Sequence, residues 1–135
     1  ILNKRSKSLS DKKSFYTPKG KKSATDIIKA IRENCSVLVI VDQKDSAGED
    51  ISFFGYEVKT QTGFLKIAKK NNIKIIPVEN TRLRLNNFKL KFHKPIGLDN
   101  MKKDSKEDME KIHSIIEKWI KTNPSNWFLQ HNRFN

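Results

Sequence analysis

Residues 37–41 of this chain, Val-Leu-Val-Ile-Val, form an unbroken apolar run that is rich in β-branched side chains. Such a run is typical of a strand that is covered on both faces, because a half-exposed strand would alternate apolar and polar residues. Strands of that kind occur in parallel or mixed sheets with helices on both sides. The run therefore predicts an α/β layer built around such a sheet.

Three further segments have the helical spacing of apolar residues that this architecture requires. Helices are predicted over residues 23–34, 60–71 and 105–123. The second is expected to bury Phe64, Leu65 and Ala68, and the last has Met109, Ile112, Ile116 and Trp119 at spacings of three, four and three. Because these helices are interleaved with strands, the expected fold is α/β, with a mixed, largely parallel sheet flanked by helices.

Two more segments read as strands, and a polar loop precedes an aromatic turn. Residues 73–78 are apolar, with Pro77 near the end, and Phe88, Leu90 and Phe92 alternate with Lys89, Lys91 and His93. The polar face of this last strand is expected to meet water. A loop over residues 45–50 and a compact turn at Phe53-Phe54-Gly55 are predicted between the first strand and the second helix.

Charge and cysteine content limit the possible partners and cofactors. The 135 residues include 28 Lys and Arg against 15 Asp and Glu, a formal charge of +13 that favours nucleic acid, anionic lipid or acidic carrier proteins. Lysine spread over a solvated surface explains much of this charge equally well. A single Cys excludes an internal disulfide framework and a multi-cysteine zinc site. No cofactor and no metal ion are expected.

The chain offers no convincing catalytic base. Phosphate-binding loops, nucleophile elbows and zinc-hydrolase motifs are absent from the sequence. His93 is predicted on the solvent face of a strand, and His113 is read as a surface residue beside Glu110 and Glu117. None of the three histidines, His131 included, has an acidic residue five positions downstream, the spacing that would orient an imidazole.

Taken in order, the motifs of the chain resemble those of bacterial lipid A biosynthesis acyltransferases, the lauroyl and myristoyl transferases of the lysophospholipid acyltransferase superfamily. Each motif alone is weak, but the ordered set spans nearly the whole chain. The motifs are Arg5, Pro18-Lys19-Gly20, Asp42-Gln43 after the apolar run, Phe53-Phe54-Gly55, Thr60-x-Thr62-Gly63, Ile76-Pro77 with Arg82, and Pro124-x-x-Trp127-x-x-x-His131-x-Arg133-Phe134. Where the family often has Trp then Lys after that arginine, this chain has Phe134 and Asn135.

The resemblance implies a glycerol-3-phosphate-acyltransferase-like fold and an acyl transfer reaction. The family moves a fatty acyl group from acyl carrier protein, or a coenzyme A thioester, to a hydroxyl of a lipid A precursor during lipopolysaccharide biosynthesis. Its His-x4-Asp or His-x4-Glu motif is expected upstream of Ile1, so that residues 1–22 are a basic loop or the end of a truncated element. Residues 23–135 would be the C-terminal part of one acyltransferase domain, inactive by itself.

No catalytic residue is therefore expected in this chain, but the resemblance implies substrate-binding positions. Asp42 and Gln43 follow a strand at the edge where open α/β sheets place ligands. Arg82 follows the next strand, and its guanidinium suits a phosphate or a carboxylate. The full set of expected substrate-binding residues is Asp42, Gln43, Arg82, Arg5, Lys19, Phe54, Thr62, His131 and Arg133.

Expected partners are the acyl donor, the glycolipid acceptor and an anionic membrane surface on the cytoplasmic face of the inner membrane. The chain would reach that surface peripherally or through an N-terminal anchor. Two alternatives stay open, namely a basic nucleic-acid-binding module and a non-catalytic remnant of an acyltransferase. Nucleic acid is not the expected partner, because most aromatic residues fall at core-like positions rather than among cations on one exposed face.

Overall fold

A computed structural model of the chain describes residues 16–17, 21–97, 105–127 and 132–134. The chain divides into two compact units, Ile1–Val39 and Ile40–Asn135. Within the described residues, the first unit contains helix α1 (Lys21–Arg32). In the second unit the elements are β1 (Glu49–Phe53), β2 (Tyr56–Thr60), α2 (Gly63–Lys70), β3 (Val78–Arg84), β4 (Asn87–Phe92), α3 (Ser105–Thr122) and a 3₁₀ helix (Pro124–Asn126).

The prediction of a largely parallel sheet is wrong. The strands that the structure describes form two separate two-stranded sheets, β1 with β2 and β3 with β4, and both pairs are antiparallel. Two-residue turns join the strands of each pair, and a connection this short can only reverse the chain direction, whereas parallel neighbours need a long crossover. The described part of the chain is therefore a mixed α/β structure without a parallel sheet.

The apolar run that suggested a covered central strand takes no part in either sheet. Residues 37–41 lie outside every strand, and the Leu38 and Ile40 side chains are mostly exposed. Residues 73–78 likewise contribute one isolated antiparallel bridge, Ile75 with Ile96, before β3 begins at Val78. Apolar composition identifies a segment that could be a strand, but a strand also needs a neighbour to accept its hydrogen bonds.

The first hairpin, β1–β2, is the centre of the core. Phe54 and Gly55 form its turn with positive φ values of 52° and 80°, which match a type I′ hairpin turn. The predicted compact turn at Phe53-Phe54-Gly55 is thus present, but residues 49 and 50 of the expected loop belong to β1. One face of the hairpin is buried, and it consists of Ile51, Phe53, Val58 and Thr60.

Helix α3 covers this hairpin, and its position along the chain agrees with the predicted 105–123. Met109 and Ile112 are buried as the apolar spacing predicts. Two hydrogen bonds join helix and hairpin: His113 Nδ1 donates to the Ser52 carbonyl (2.8 Å), and the Phe54 amide donates to Glu117 Oε1 (2.6 Å). The reading of His113 as a surface residue is wrong, because only 1% of it is exposed.

Helix α2 completes the core and confirms the predicted burial of Phe64, Leu65 and Ala68. It is held against α3 by an ion pair between Lys69 Nζ and the Asp108 carboxylate, at 2.5 Å. The Asp108 side chain is inaccessible to solvent, so that the charge must be compensated, and Lys111 adds a second cation at 3.3 Å.

The second hairpin, β3–β4, confirms the predicted strand at residues 88–92, and its apolar face is largely exposed. Phe88, Leu90 and Phe92 are each more than half exposed, while Lys89 and Lys91 on the other face are exposed as predicted. Backbone hydrogen bonds continue beyond the ends of β3 and β4. They run from the His93 amide to the Pro77 carbonyl and from the Ile96 amide to the Ile75 carbonyl. In the described ranges, no helix is long and apolar enough to cross a bilayer.

Candidate functional site

Asp42 lies in a bend after residues 37–41. It is tied to the C-terminal segment, by which we mean the described residues 124–127 and 132–134. The Trp127 indole Nε1 donates a hydrogen bond of 3.1 Å to Asp42 Oδ2, across 85 positions of sequence. Both residues are half-buried. The carboxylate therefore holds the end of the 3₁₀ helix against the loop that follows the apolar run.

Arg133 reaches the same region from the other end of the C-terminal segment. Its Nη1 donates to the Lys59 carbonyl and its Nη2 to Thr60 Oγ1, both at 2.6 Å. Burial lowers the pKa of Arg133, and the nearby Asp42 carboxylate opposes that shift. The guanidinium stays protonated, because an arginine in a protein does not lose its proton. Arg133 thus anchors the segment on β2 while its charge faces Asp42.

Aromatic rings fill the space between these two polar anchors. The Phe53 ring lies 5.9 Å from Trp127 and 6.1 Å from Phe134, and the Arg133 guanidinium sits over it at 5.6 Å. Phe54, at the hairpin turn, packs its ring 6.1 Å from that of Trp127. Two of the expected site residues, Asp42 and Arg133, therefore contact one aromatic cluster, and a third, Phe54, belongs to it. The aromatic cluster consists of Phe53, Phe54, Trp127 and Phe134.

A family model describing bacterial lipid A biosynthesis acyltransferases matches residues 6–135 of the chain. The chain belongs to this family. A search of curated proteins found no match. Family membership confirms the resemblance drawn from the ordered motifs.

Arg82 of this family member lies beside an open groove. Its backbone amide donates to Asn126 Oδ1 (3.2 Å), the residue next to Trp127. Its side chain folds over its own hairpin, with Nε donating to the Leu85 carbonyl (3.0 Å) and the guanidinium 5.5 Å from the Phe88 ring centre. The residues around this space, which we call the arginine groove, are Arg82, Leu83, Arg84, Leu85, Ser125 and Asn126.

The C-terminal segment thus links the two regions in which the expected site residues lie. Trp127 contacts Asp42 and Asn126 contacts Arg82, so adjacent residues bind the loop after residues 37–41 and strand β3, in which Arg82 lies. The Arg82 guanidinium itself makes its recorded contacts with its own hairpin. Asp42 and Arg82 are consequently joined through one short stretch of backbone.

The remaining expected substrate-binding residues, among them Thr62 and Gln43, lie in different environments. Thr62 is buried, and its hydroxyl donates to Glu49 Oε1 (2.6 Å), which also lies 3.3 Å from Lys66 Nζ. That hydroxyl is already used in holding the start of α2 to β1. Gln43 is exposed. Three expected positions fall outside the described residues: Arg5, Lys19 and His131.

The histidines of the described residues are placed for structural contacts. His93 Nε2 lies 3.1 Å from Glu79 Oε2, and its ring stacks on Trp119 at 4.8 Å. Burial lowers the pKa of His113, so this imidazole is neutral, with its proton on the Nδ1 that donates to the Ser52 carbonyl. In the described ranges, no group of three His, Cys, Asp or Glu side chains is arranged to hold a metal ion.

The sequence did not predict two features of this chain, the buried polar side chains of α3 and the hydrogen bond between Phe54 and Glu117, although the first had a visible signal. Ser105, Asp108, Met109, Ile112 and His113 follow the helical spacing of a single buried face, but three of the five are polar and suggested solvent. The bond from Phe54 to Glu117 joins residues 63 positions apart and has no local signature.

Proposed function

We propose that this chain is part of an enzyme that transfers a fatty acyl group to a hydroxyl of a lipid A precursor in lipopolysaccharide biosynthesis. The donor is an acyl carrier protein thioester or acyl-CoA. Membership of the lipid A acyltransferase family is the observation that carries the proposal. The reaction joins the acceptor oxygen to the thioester carbonyl carbon, moves the hydroxyl proton to a base, and expels the donor thiol.

The base is supplied from outside this chain. The sequence contains no His-x4-Asp or His-x4-Glu, and His113 is buried with its Nδ1 bonded to a carbonyl. The chain alone is therefore expected to be inactive, and the full-length protein is the enzyme. In that enzyme, the residues described here position and bind the substrates.

We assign Asp42, Trp127 and Arg133 to positioning. The Asp42 carboxylate fixes Trp127, and Arg133 fixes the chain end on β2. Because Asn126 precedes Trp127 and lines the arginine groove, the same contacts hold one wall of that groove in place. Gln43 and Phe54 adjoin these anchors and would border the substrate. Thr62 supports β1 and α2, and Arg5, Lys19 and His131 keep the roles that the family pattern implies.

The arginine groove is proposed to bind the charged head of the acceptor. Arg82 and Arg84 place two cations beside the Ser125 and Asn126 side chains, which offer hydroxyl and amide groups. Guanidinium groups bind phosphate with paired hydrogen bonds. The net charge of +13 supports attraction to an acidic carrier protein and to the anionic cytoplasmic face of the inner membrane.

The test is acyl transfer by the full-length protein, with kcat and KM measured for the lipid A precursor. Arg82→Gln is expected to raise the acceptor KM about tenfold, because it removes a charged hydrogen bond to phosphate. Arg82→Lys should recover part of that loss, since it keeps the charge without the planar fork. Lys70→Gln removes an exposed cation from α2 and serves as the control.

The possible results of this test distinguish the proposed reaction from the proposed role of Arg82 in acceptor binding. Absence of acyl transfer by the unaltered full-length protein would refute the proposed reaction. Transfer that is equally efficient in Arg82→Gln and Lys70→Gln would keep the reaction but remove Arg82 from acceptor binding.

A further inference from the structure

The β3–β4 hairpin has an apolar face that is largely exposed in the described part of the chain. Directly opposed residues of an antiparallel pair project from the same face, and Phe88, Leu90 and Phe92 are paired with Arg82, Asn80 and Val78. Glu79 lies on the opposite face and bonds to His93, whose ring stacks on Trp119 of α3. The polar face meets α3 at His93, whereas Phe88, Leu90 and Phe92 of the apolar face are each more than half exposed.

The tip of the hairpin continues this exposed apolar surface. Leu85 sits in the turn with a φ of 37° and is 87% exposed, and Leu83 at the preceding bulge is 60% exposed. A large aliphatic side chain at a positive φ is unfavourable for an L-residue and gains nothing from water. Contiguous apolar exposure of this kind marks a binding surface.

Cations surround the apolar tip and indicate what covers it. Residues 78–94 contain five Lys or Arg and a single acid, Glu79. Arg82 is paired with Phe88 on the apolar face, and its guanidinium lies 5.5 Å from the centre of that ring, so cationic and apolar side chains reach the same surface. An apolar protein partner would require these charges to be buried, whereas an anionic lipid surface accepts both kinds of side chain at once.

We propose that the β3–β4 hairpin docks on an anionic membrane surface, with Leu83, Leu85, Phe88 and Leu90 entering the lipid interface and Arg82 and Arg84 at the headgroups. Its depth is limited, because the outer edges of a two-stranded arm carry backbone groups that need water. The hairpin therefore lies within the headgroup region.

Single-stranded nucleic acid fits this surface less well. Bases stack on aromatic rings, and Phe88 and Phe92 could provide two, but the most exposed positions of the tip are the aliphatic Leu83 and Leu85. Aliphatic side chains bury well in lipid and offer no aromatic ring for a base to stack on. The position of the leucines thus favours the membrane.

The inference rests on the proposed function only in naming the inner membrane as the surface that is bound. Its test measures vesicle binding and needs no acyl transfer. The full chain is sedimented with vesicles of phosphatidylcholine alone, or of equal parts phosphatidylcholine and phosphatidylglycerol. We expect binding to the anionic vesicles, weakened about tenfold by either Leu85→Ser or Leu90→Ser, since each removes one leucine from the lipid interface. Leu38→Ser, at an equally exposed leucine of the other unit (83%), is the matched control and should leave binding unchanged.

Charge is tested separately from apolar contact. Arg84→Gln should lower affinity for the anionic vesicles about fivefold and leave the neutral vesicles unaffected, while Lys70→Gln should change neither. Circular dichroism checks that each variant is folded, which is expected because every altered side chain is exposed.

Three results would overturn the proposal. The first is equal binding to both vesicle types, or a loss of vesicle binding in Leu38→Ser that equals the loss in Leu85→Ser. The second is binding to single-stranded DNA that Phe88→Ser abolishes and Leu85→Ser retains, which would assign the face to nucleic acid. The third is a concentration-dependent dimer without vesicle binding, disrupted by Leu90→Ser, which would assign it to a second copy.

Failure of the proposed reaction is distinguishable from failure of docking. In the full-length protein, Leu90→Ser should retain acyl transfer to a detergent-dispersed acceptor while losing vesicle binding, because Leu90 lies outside the arginine groove. Loss of transfer in detergent would instead show that the face serves the fold or the site and would contradict a membrane role.

Discussion

The two hairpins of this chain have similar lengths and opposite environments. In β1–β2 the face containing Ile51, Phe53 and Val58 is buried under α3, and Phe53 is inaccessible to solvent. In β3–β4 the face containing Phe88 and Leu90 is exposed. An apolar face on a strand therefore predicts that something covers it, but not that the cover belongs to the same part of the chain.

The covering of the first hairpin involves polar contacts as well as apolar packing. His113 and Glu117 of α3 bind the backbone of Ser52 and Phe54, and Arg133 binds the carbonyl of Lys59. These contacts satisfy backbone groups that burial would otherwise leave unpaired. We infer that β1–β2 is the stable core of the fold and that β3–β4 provides the surface proposed to dock on the membrane.

The largest predicted difference between the hairpins is in the free energy of unfolding. Phe53→Ala removes a fully buried ring from the centre of the aromatic cluster and should destabilise the chain by about 3–5 kcal/mol. Phe88→Ala, at an exposed ring, should change stability by less than about 0.5 kcal/mol. Urea unfolding followed by circular dichroism measures both, and equal losses would remove the distinction.

A second prediction concerns the loop that packs on β2. An added Cβ at Gly48 would overlap the Thr60 backbone, which cannot move without disturbing the buried hairpin. Gly48→Ala should therefore cost about 1–3 kcal/mol of stability, as overpacking does. Gly63→Ala is the matched control, because its Cβ would meet no atom within 4 Å. Similar stability of the two variants would show that the Gly48 loop adapts freely.

The third prediction tests the link between the Asp42 loop and the C-terminal segment. Asp42→Ala and Trp127→Phe each remove one partner of a half-buried hydrogen bond, and the double variant completes a cycle. We expect a coupling energy of about 1 kcal/mol from the unfolding free energies of the unaltered chain, the two single variants and the double variant. Additive losses would mean that the bond contributes nothing to holding the segment.

The smallest effect at neutral pH is predicted for His113, and it grows as the pH falls. Burial lowers the pKa of His113 in the folded chain, Arg133 lowers it further, and Glu117, Glu110 and the Ser52 hydrogen bond oppose this. Above the ordinary value of 6.5 the imidazole is neutral in both states; below it the unfolded chain takes up a proton first, so stability is lost.

A substitution isolates this contribution. His113→Asn keeps a donor for the Ser52 carbonyl and cannot titrate in this range. The difference in unfolding free energy between His113→Asn and the unaltered chain should therefore change between pH 7.5 and pH 5. If the two pH profiles run parallel, His113 is not the group that titrates.

Helices were predictable from this sequence because their periodicity is local. The spacing of Phe64, Leu65 and Ala68 places them on one side of α2, and the spacing of Met109 and Ile112 does the same in α3. The alternation of apolar and polar residues in β1 is equally local, since Ile51 and Phe53 are separated by Ser52. The two acidic residues at the start of β1 nevertheless led to the prediction of a loop there. Strand pairing depends on distant partners, so parallel order could not be read from apolar runs.

The sequence proposes residues for the candidate site but could not predict their contacts. Asp42, Phe54 and Arg133 were selected from ordered motifs, and the structure places them in or against one aromatic cluster. Their partners lie far along the chain, as with Trp127 for Asp42 and Lys59 for Arg133, so spacing alone could not reveal them. The arginine groove needed the fold, because Asn126 reaches Arg82 across 44 positions.

The most direct test of the difference between the buried β1–β2 hairpin and the exposed β3–β4 hairpin is amide hydrogen exchange. It is measured for each hairpin with and without anionic vesicles. The Ile51 and Val58 amides should exchange slowly in both conditions, because opening them requires loss of the core. The amides of residues 83–90 should exchange quickly in buffer and become protected only with vesicles containing phosphatidylglycerol. Equal protection of both hairpins in buffer, or protection by vesicles that falls on β1–β2 instead, would contradict the account.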